Sequence, residues 1–253
     1  MKNSLNRFSS RVENYVKYRP HYPVELISFL KGKKILTSKS VIADIGSGTG
    51  ISSELFLKNG NVVFGVEPNM EMRKAAEKSL AVFSNFKSVD GTAEETTLEN
   101  QMVDIIVTGQ AFHWFDLEKC KIEFKRILKP KGTVVLMWND RRTQSTPFLI
   151  GYENLLQTFG TDYREVDHKN IDEKVFNNFF GEGNFKLKSF ENFQHHDYDS
   201  LEGRLLSSSY VPNDGHHNYQ PMINALKELF IHYQHDNTVT IEYDTIVYYG
   251  KLI

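Results

Sequence analysis

The chain has 253 residues, of which 40% are hydrophobic and 25% charged, enough apolar material for the core of one elaborated α/β domain. With 30 Lys+Arg against 32 Asp+Glu the net charge is −2, and no basic block offers a phosphate-tracking stripe, which disfavours nucleic acid as the main partner. The amino terminus is polar and broken by charges where a secretory signal needs an apolar run, and no stretch approaches the roughly 20 apolar residues of a membrane span.

In chain order, Asn14 to Pro23 is dense in aromatics and prolines and belongs to an N-terminal helical extension. From Lys39 to Trp138 short β-branched runs alternate with longer amphipathic segments, the rhythm of βαβ units on a parallel sheet. Strands are expected at Val41–Ile45, Val62–Val66, Phe86–Val89, Val103–Thr108 and Thr133–Trp138, because parallel strands buried on both faces read as near-continuous apolar runs. Helices are expected at Ile51–Lys58, Met70–Ala81 and Asp116–Leu128; the last opens on an Asp cap, and Lys129-Pro130-Lys131-Gly132 ends it. That helix carries the single cysteine, Cys120, which has no internal disulfide partner and reads as a buried thiol in a reducing, cytoplasmic setting.

After Trp138 the rhythm changes to helical segments around Pro147–Phe159, Ile171–Phe180 and Tyr219–His235. Two late strands, around Phe185–Phe193 and Thr238–Tyr248, close the sheet, the second alternating Val239, Ile241, Tyr243, Thr245 and Val247 with more polar residues as an edge-like strand would. The expectation is one domain: a lid over residues 1–30, a cofactor-binding core over 39–140, and an acceptor-side insertion with closing strands over 141–253.

The strongest local signal is Asp44-Ile45-Gly46-Ser47-Gly48-Thr49-Gly50, an apolar strand running into a glycine turn and then a helix. Glycines let a ligand approach the backbone, and a helix N-terminus offers donors to an anionic group; the alternative is a strand–helix turn that needs glycine for packing alone. Glu67 follows the next strand directly, where a carboxylate can accept the hydroxyl hydrogens of a ribose. Dinucleotide dehydrogenases use the same two devices, but their third glycine position is Ile51 here.

The Asp-x-Gly-x-Gly-x-Gly spacing resembles class I S-adenosylmethionine (SAM) dependent methyltransferases, and other segments follow in order: Val66-Glu67-Pro68-Asn69, Gly91-Thr92-Ala93-Glu94, Gln110 to Phe115, and Ile127 to Gly132. The resemblance runs from Tyr15 to Asp140 and is nearest to the trans-aconitate and ubiquinone-pathway small-molecule methyltransferases. It implies a Rossmann-like, seven-stranded, mostly parallel sheet with helices on both faces, the last strand antiparallel, an N-terminal helical lid and a helical insertion after strand five.

For the site, the resemblance implies SAM held by Asp44, Gly46, Ser47 and Gly48, its ribose by Glu67 and Pro68, its adenine between Met70 and Thr92-Ala93, and its methionine end beside Gln110. Met70 alternatively belongs to the helix core. Tyr15, Tyr18 and Arg19 would close over the sulfonium and its carboxylate, or simply form a packed helix. His113 is the candidate acid–base residue, with packing as the alternative. Arg141 or Arg142 would clamp an acceptor carboxylate or stand in solvent. Adjacent histidines at His195-His196 and His216-His217 point apart on a strand, so no metal is expected. The implied partner is a small-molecule methyl acceptor, with no nucleic acid and no membrane, for a monomer or homodimer. The rival functions are a SAM-binding sensor that has lost catalysis and an NAD-dependent dehydrogenase.

Overall fold

A computed structural model of the chain describes residues 12–161, 163 and 173–253. The strands are β1 (Val41–Ile45), β2 (Val62–Val66), β3 (Phe86–Val89), β4 (Val103–Gly109), β5 (Leu128–Arg141), β6 (Phe185–His196) and β7 (Val239–Gly250). They form one seven-stranded sheet in the order β3-β2-β1-β4-β5-β7-β6. β1 pairs in parallel with β2 and β4, β2 with β3 and β4 with β5, whereas β7 runs antiparallel to both β5 and β6. The expected Rossmann-like α/β architecture, with its last strand reversed, is what the chain adopts.

The helices are α1 (Val12–Tyr18), α2 (Glu25–Gly32), α3 (Ile51–Lys58), α4 (Met70–Ser79), α5 (Leu117–Ile127), α6 (Pro147–Phe159), α7 (Glu173–Phe180), α8 (Tyr198–Leu206) and α9 (Tyr219–Tyr233). Residues 171 and 172, where the α7 pattern was expected to begin, lie outside the described residues. Side-chain caps set several of the starts: Asn69 accepts from the Met72 N–H, Asp116 from Lys119, Thr146 from Leu149 and Asp197 from Ser200. Among the described residues no helix is long and apolar enough to cross a membrane.

Alternate residues of the central strands feed two cores. Ala43, Ile45, Ile106 and Val134 pack with Phe112, Phe124 and Phe180, while Ile42, Val63, Ile105 and Val135 pack with Leu26, Leu30 and Phe56. Coverage of both faces explains why these strands read as unbroken apolar runs. Cys120 is buried in the first core, and burial pushes its thiol well up, so it acts as a packing residue. A third cluster joins α6, α8 and α9 to Val239, Ile241 and Tyr243 of β7, forming a helical body beyond β5.

Three expectations are corrected. β7 is interior, between β5 and β6, and the edge is β6; its alternation arises because Val239 to Val247 bury one face only. β6 carries the exposed, lysine-bearing edge instead. β5 begins at Leu128, which pairs with Val103, before the register shifts to Ile105 opposite Thr133. Lys129 to Gly132 is therefore an irregularity inside the strand, as suits Pro130, which has no N–H for the ladder. Finally, α8 was not foreseen, although its Asp197 cap and buried Leu201 and Leu205 are helical signals.

Candidate functional site

The glycine turn leaves β1 at Ile45, and Gly46, Gly48 and Gly50 have φ of 68°, 55° and 87°, the left-handed region that strains other residues. Their further roles differ. A Cβ at Gly46 would stand 2.6 Å from the Ala111 Cβ and one at Gly50 2.5 Å from Leu80 Cδ1, while one at Gly48 would meet nothing within 4 Å. The first and third glycines thus serve packing, and Gly48 borders open space.

Glu67 locks this turn to the end of β2. Its Oε2 accepts the Gly48 N–H at 3.0 Å and its Oε1 the Asn69 N–H at 2.9 Å. Burial raises the Glu67 carboxyl above its ordinary value, against the pull of these N–H donors. Asp44, fully buried one turn below, accepts from Ser52 Oγ and Ser53 Oγ, each at 2.6 Å. Burial pushes its carboxyl up to about 6.

A cleft of about 510 Å³, open to solvent, lies along the carboxyl ends of these strands, with Arg19, Gly46, Ser47, Gly48, Gln110 and Arg204 in its wall. Gln110 also adopts a left-handed backbone, φ 59°, held by its N–H on Met137 O at 2.9 Å and its Nε2 on Asn139 O at 3.2 Å. Thr49 lines the cleft as well, its Oγ1 buried without a hydrogen-bond partner among the described residues. A non-glycine residue in this region, fixed at both ends, is a strained element retained at a site.

Of the residues singled out in the sequence, Arg19, Gly46, Ser47, Gly48 and Gln110 therefore converge, with Asp44 and Glu67 immediately behind. Pro68, Met70, Thr92 and Ala93 lie outside the cleft wall, toward β2 and β3. Met70 is 51% exposed, so it is not helix core; Ala93 is buried in the first core, and Thr92 closes a turn with Glu95. Tyr18 packs its ring against Gly203 of α8, and the side chain of Tyr15 lies outside what is described. His113 sits in a single 3₁₀ turn, Phe112–Trp114, with its ring 4.8 Å from that of Trp114, and does not line the cleft.

The two arginines at the end of β5, Arg141 and Arg142, do not stand free in solvent. Arg141, its side chain 10% exposed, pairs with Glu153 and stacks over Tyr152, and Arg142 pairs with Asp244 and Glu191. The cleft uses another cation, Arg204 of α8, which sequence reasoning missed; its signal was a charge set among Leu201, Leu205 and Leu206. Asn139 was missed too. Its Nδ2 donates to Pro20 O at 3.2 Å and His21 O at 3.4 Å, and its Oδ1 accepts from Thr245 and Asn192. Together with Gln194 on Tyr18 O and Asn192 on His21 O, it ties the segment after α1 down over the sheet as a strap. Among the described residues no cluster of three or more His, Cys, Asp or Glu is arranged to hold a metal.

A sheet of this order, with a glycine turn after β1 and an acid after β2, is the Rossmann-like fold of methyltransferases. Residues 43–136 match the family model described as a methyltransferase domain. It is 34% identical over 138 residues to an uncharacterised methyltransferase of Mycobacterium tuberculosis, covering 53% of this chain and 52% of that one. It is 30% identical over 151 residues to an uncharacterised methyltransferase of Schizosaccharomyces pombe, covering 59% of each. The chain spans 52–60% of the length of the curated relatives it matches first. A solved structure described as a type II methyltransferase, from Anaeromyxobacter dehalogenans, shares the fold with a TM-score of 0.69 at 18% identity, over 92% of this chain and 98% of that one.

Proposed function

We propose that this protein transfers the methyl group of SAM to a small-molecule acceptor that bears a carboxylate. The observation that carries the reading is Gly48, which faces open space at the cleft while its N–H is fixed by Glu67. That is a cradle in which any side chain would stand in the ligand's place. The residues present fit SAM. Glu67 spends one acceptor position of each oxygen on the chain's own amides and keeps others for two ribose hydroxyls. The buried, unpartnered Thr49 hydroxyl awaits a polar ligand group, and Arg19 offers a guanidinium to a carboxylate.

When bound, SAM supplies an electrophilic methyl on a sulfonium. The chain's own work is alignment: Gln110 and the glycine turn hold one side of the cleft, and the strap from Arg19 to Tyr22 covers it and excludes water. A carboxylate acceptor needs no base, since its oxygen arrives already ionised. His113, the residue the sequence offered as base, stands outside the cleft wall and takes no part in the step with a carboxylate. In this reading 1–253 is one domain acting in the cytoplasm, with 39–140 holding the cofactor and 141–253 the acceptor.

The test is incubation of the purified protein with methyl-labelled SAM and a metabolite extract, followed by identification of the labelled product. A labelled small carboxylic acid derivative is expected. Failure of the protein to bind S-adenosylhomocysteine (SAH), the demethylated product, in calorimetry would overturn the assignment, whereas binding without any labelled product would favour a sensor.

A further inference from the structure

Arg204 is a buried cation, 5% exposed, yet among the described residues no carboxylate pairs with it. Its Nε donates to Tyr243 Oη at 3.2 Å and its Nη1 to Ser208 Oγ at 3.2 Å. Both acceptors are hydroxyls and neither is a carboxylate. A guanidinium has five N–H donors, so the rest have no acceptor among the described residues, and Arg204 forms part of the cleft wall. Burial holds Tyr152 up at about 12. Burial also works to raise Tyr210, but Arg204, Arg19, a Ser208 hydrogen bond and Arg141 draw it below its ordinary value. A phenol lowered in that way reports the positive field of the arginines around it.

Buried charges in proteins are paired, because removal from water is otherwise uncompensated. An unpaired guanidinium in the wall of a cleft is therefore a receptor for an anion. Its position says which. Arg204 reaches the cleft from α8 and is bonded to β7, whereas Glu67 stands at the end of β2, on the other side of β1, β4 and β5 in the sheet. Resting on the methyltransferase reading above, we infer that Arg204 binds a carboxylate of the methyl acceptor and selects anionic acceptors over neutral ones. The bond of Tyr243 to Gln194 Oε1 at 2.9 Å, and of Gln194 to Tyr18 O at 3.1 Å, links this anion site to the strap.

The experiment titrates the full chain with SAH, then titrates the SAH-saturated protein with short aliphatic and aromatic carboxylic acids, each against its own amide. At least one acid is expected to bind about thirtyfold or more tightly than its amide, as loss of one member of a buried charge pair implies. Arg204→Met should keep SAH affinity within about twofold and lose that preference, and Arg204→Lys should restore part of it. The wild-type acid-against-amide comparison stands even if Arg204→Met does not fold. Acids and amides bound equally, no acid bound, or SAH affinity lost in a folded Arg204→Met protein would each overturn the proposal, the last by giving Arg204 to the cofactor. Acid binding is also measured without SAH, so a protein that takes the acids but not SAH sinks the methyltransferase reading and leaves the anion site standing.

Discussion

Replacing Glu67 by Gln keeps the shape of the side chain and changes two contacts at once. The carboxylate uses one oxygen for the Gly48 N–H and the other for the Asn69 N–H. An amide has a single acceptor oxygen, so one of the two N–H groups must face the NH₂ group, donor against donor. Losing one hydrogen bond to a charged group costs about 1.5–3 kcal/mol. In a chain of this size each kcal/mol corresponds to about 2–4 °C, so melting of the ligand-free Glu67→Gln protein is expected about 3–12 °C lower. The same substitution removes the charge offered to the ribose hydroxyls, and SAH affinity should fall by about tenfold to a hundredfold. Differential scanning fluorimetry reads the first effect and calorimetry the second. A lowered melting temperature with unchanged SAH affinity would remove the ribose role and leave a structural lock; unchanged melting would show that the carboxylate does not hold the turn.

Gly48→Val should fold, since its Cβ meets open space, but with a branched residue at φ 55° it should lose SAH binding; normal binding by the folded variant would sink the cradle. Asp44 has a folded-state value of about 6 against an ordinary 3.8, so the stabilisation it contributes is fully present below about pH 4 and is lost as pH rises through about 6. The unfolding free energy of wild type relative to Asp44→Asn should thus fall by about 3 kcal/mol across that window, and urea melts showing a flat difference would refute it. Asn139→Ala should cost about 1–3 kcal/mol by orphaning the buried Pro20 carbonyl and speed trypsin cleavage at Lys17; if the strap also acts as a lid, SAH slows cleavage between Arg11 and Arg19, and equal protection with and without SAH argues for a fixed element. His113→Gln should lower kcat by less than about tenfold, because a base normally contributes about a hundredfold or more and a carboxylate acceptor needs none.

The parallel half of the molecule was legible because its signals are local. β1, β2 and β4 are covered on both faces and announce themselves as apolar runs, and the glycine turn with Glu67 depends on residues close in sequence to their strands. Strand order was not legible at β7, since alternation records which face is covered and not which neighbours pair. α8 was obscured by Gly203 and Arg204, a weak helix former and a charge, and both are explained only by tertiary partners: the Tyr18 ring lies on Gly203, and Tyr243 receives the Arg204 Nε. Arg141 and Arg142 looked free for the same reason, their partners Glu153 and Asp244 being fixed by the fold alone.

The strap is gripped through its carbonyls. Gln194 reaches Tyr18 O, and Asn139 and Asn192 reach the oxygens of Pro20 and His21. Every amino acid supplies a carbonyl, so this clasp is blind to composition and sensitive to length. Substitutions along the strap can reshape what it presents to the cleft without loosening its anchorage, whereas inserting or removing one residue between Tyr18 and His21 would move each oxygen off its donor. A segment held in this manner is free to change its acceptor chemistry by point replacement while its path over the sheet stays fixed.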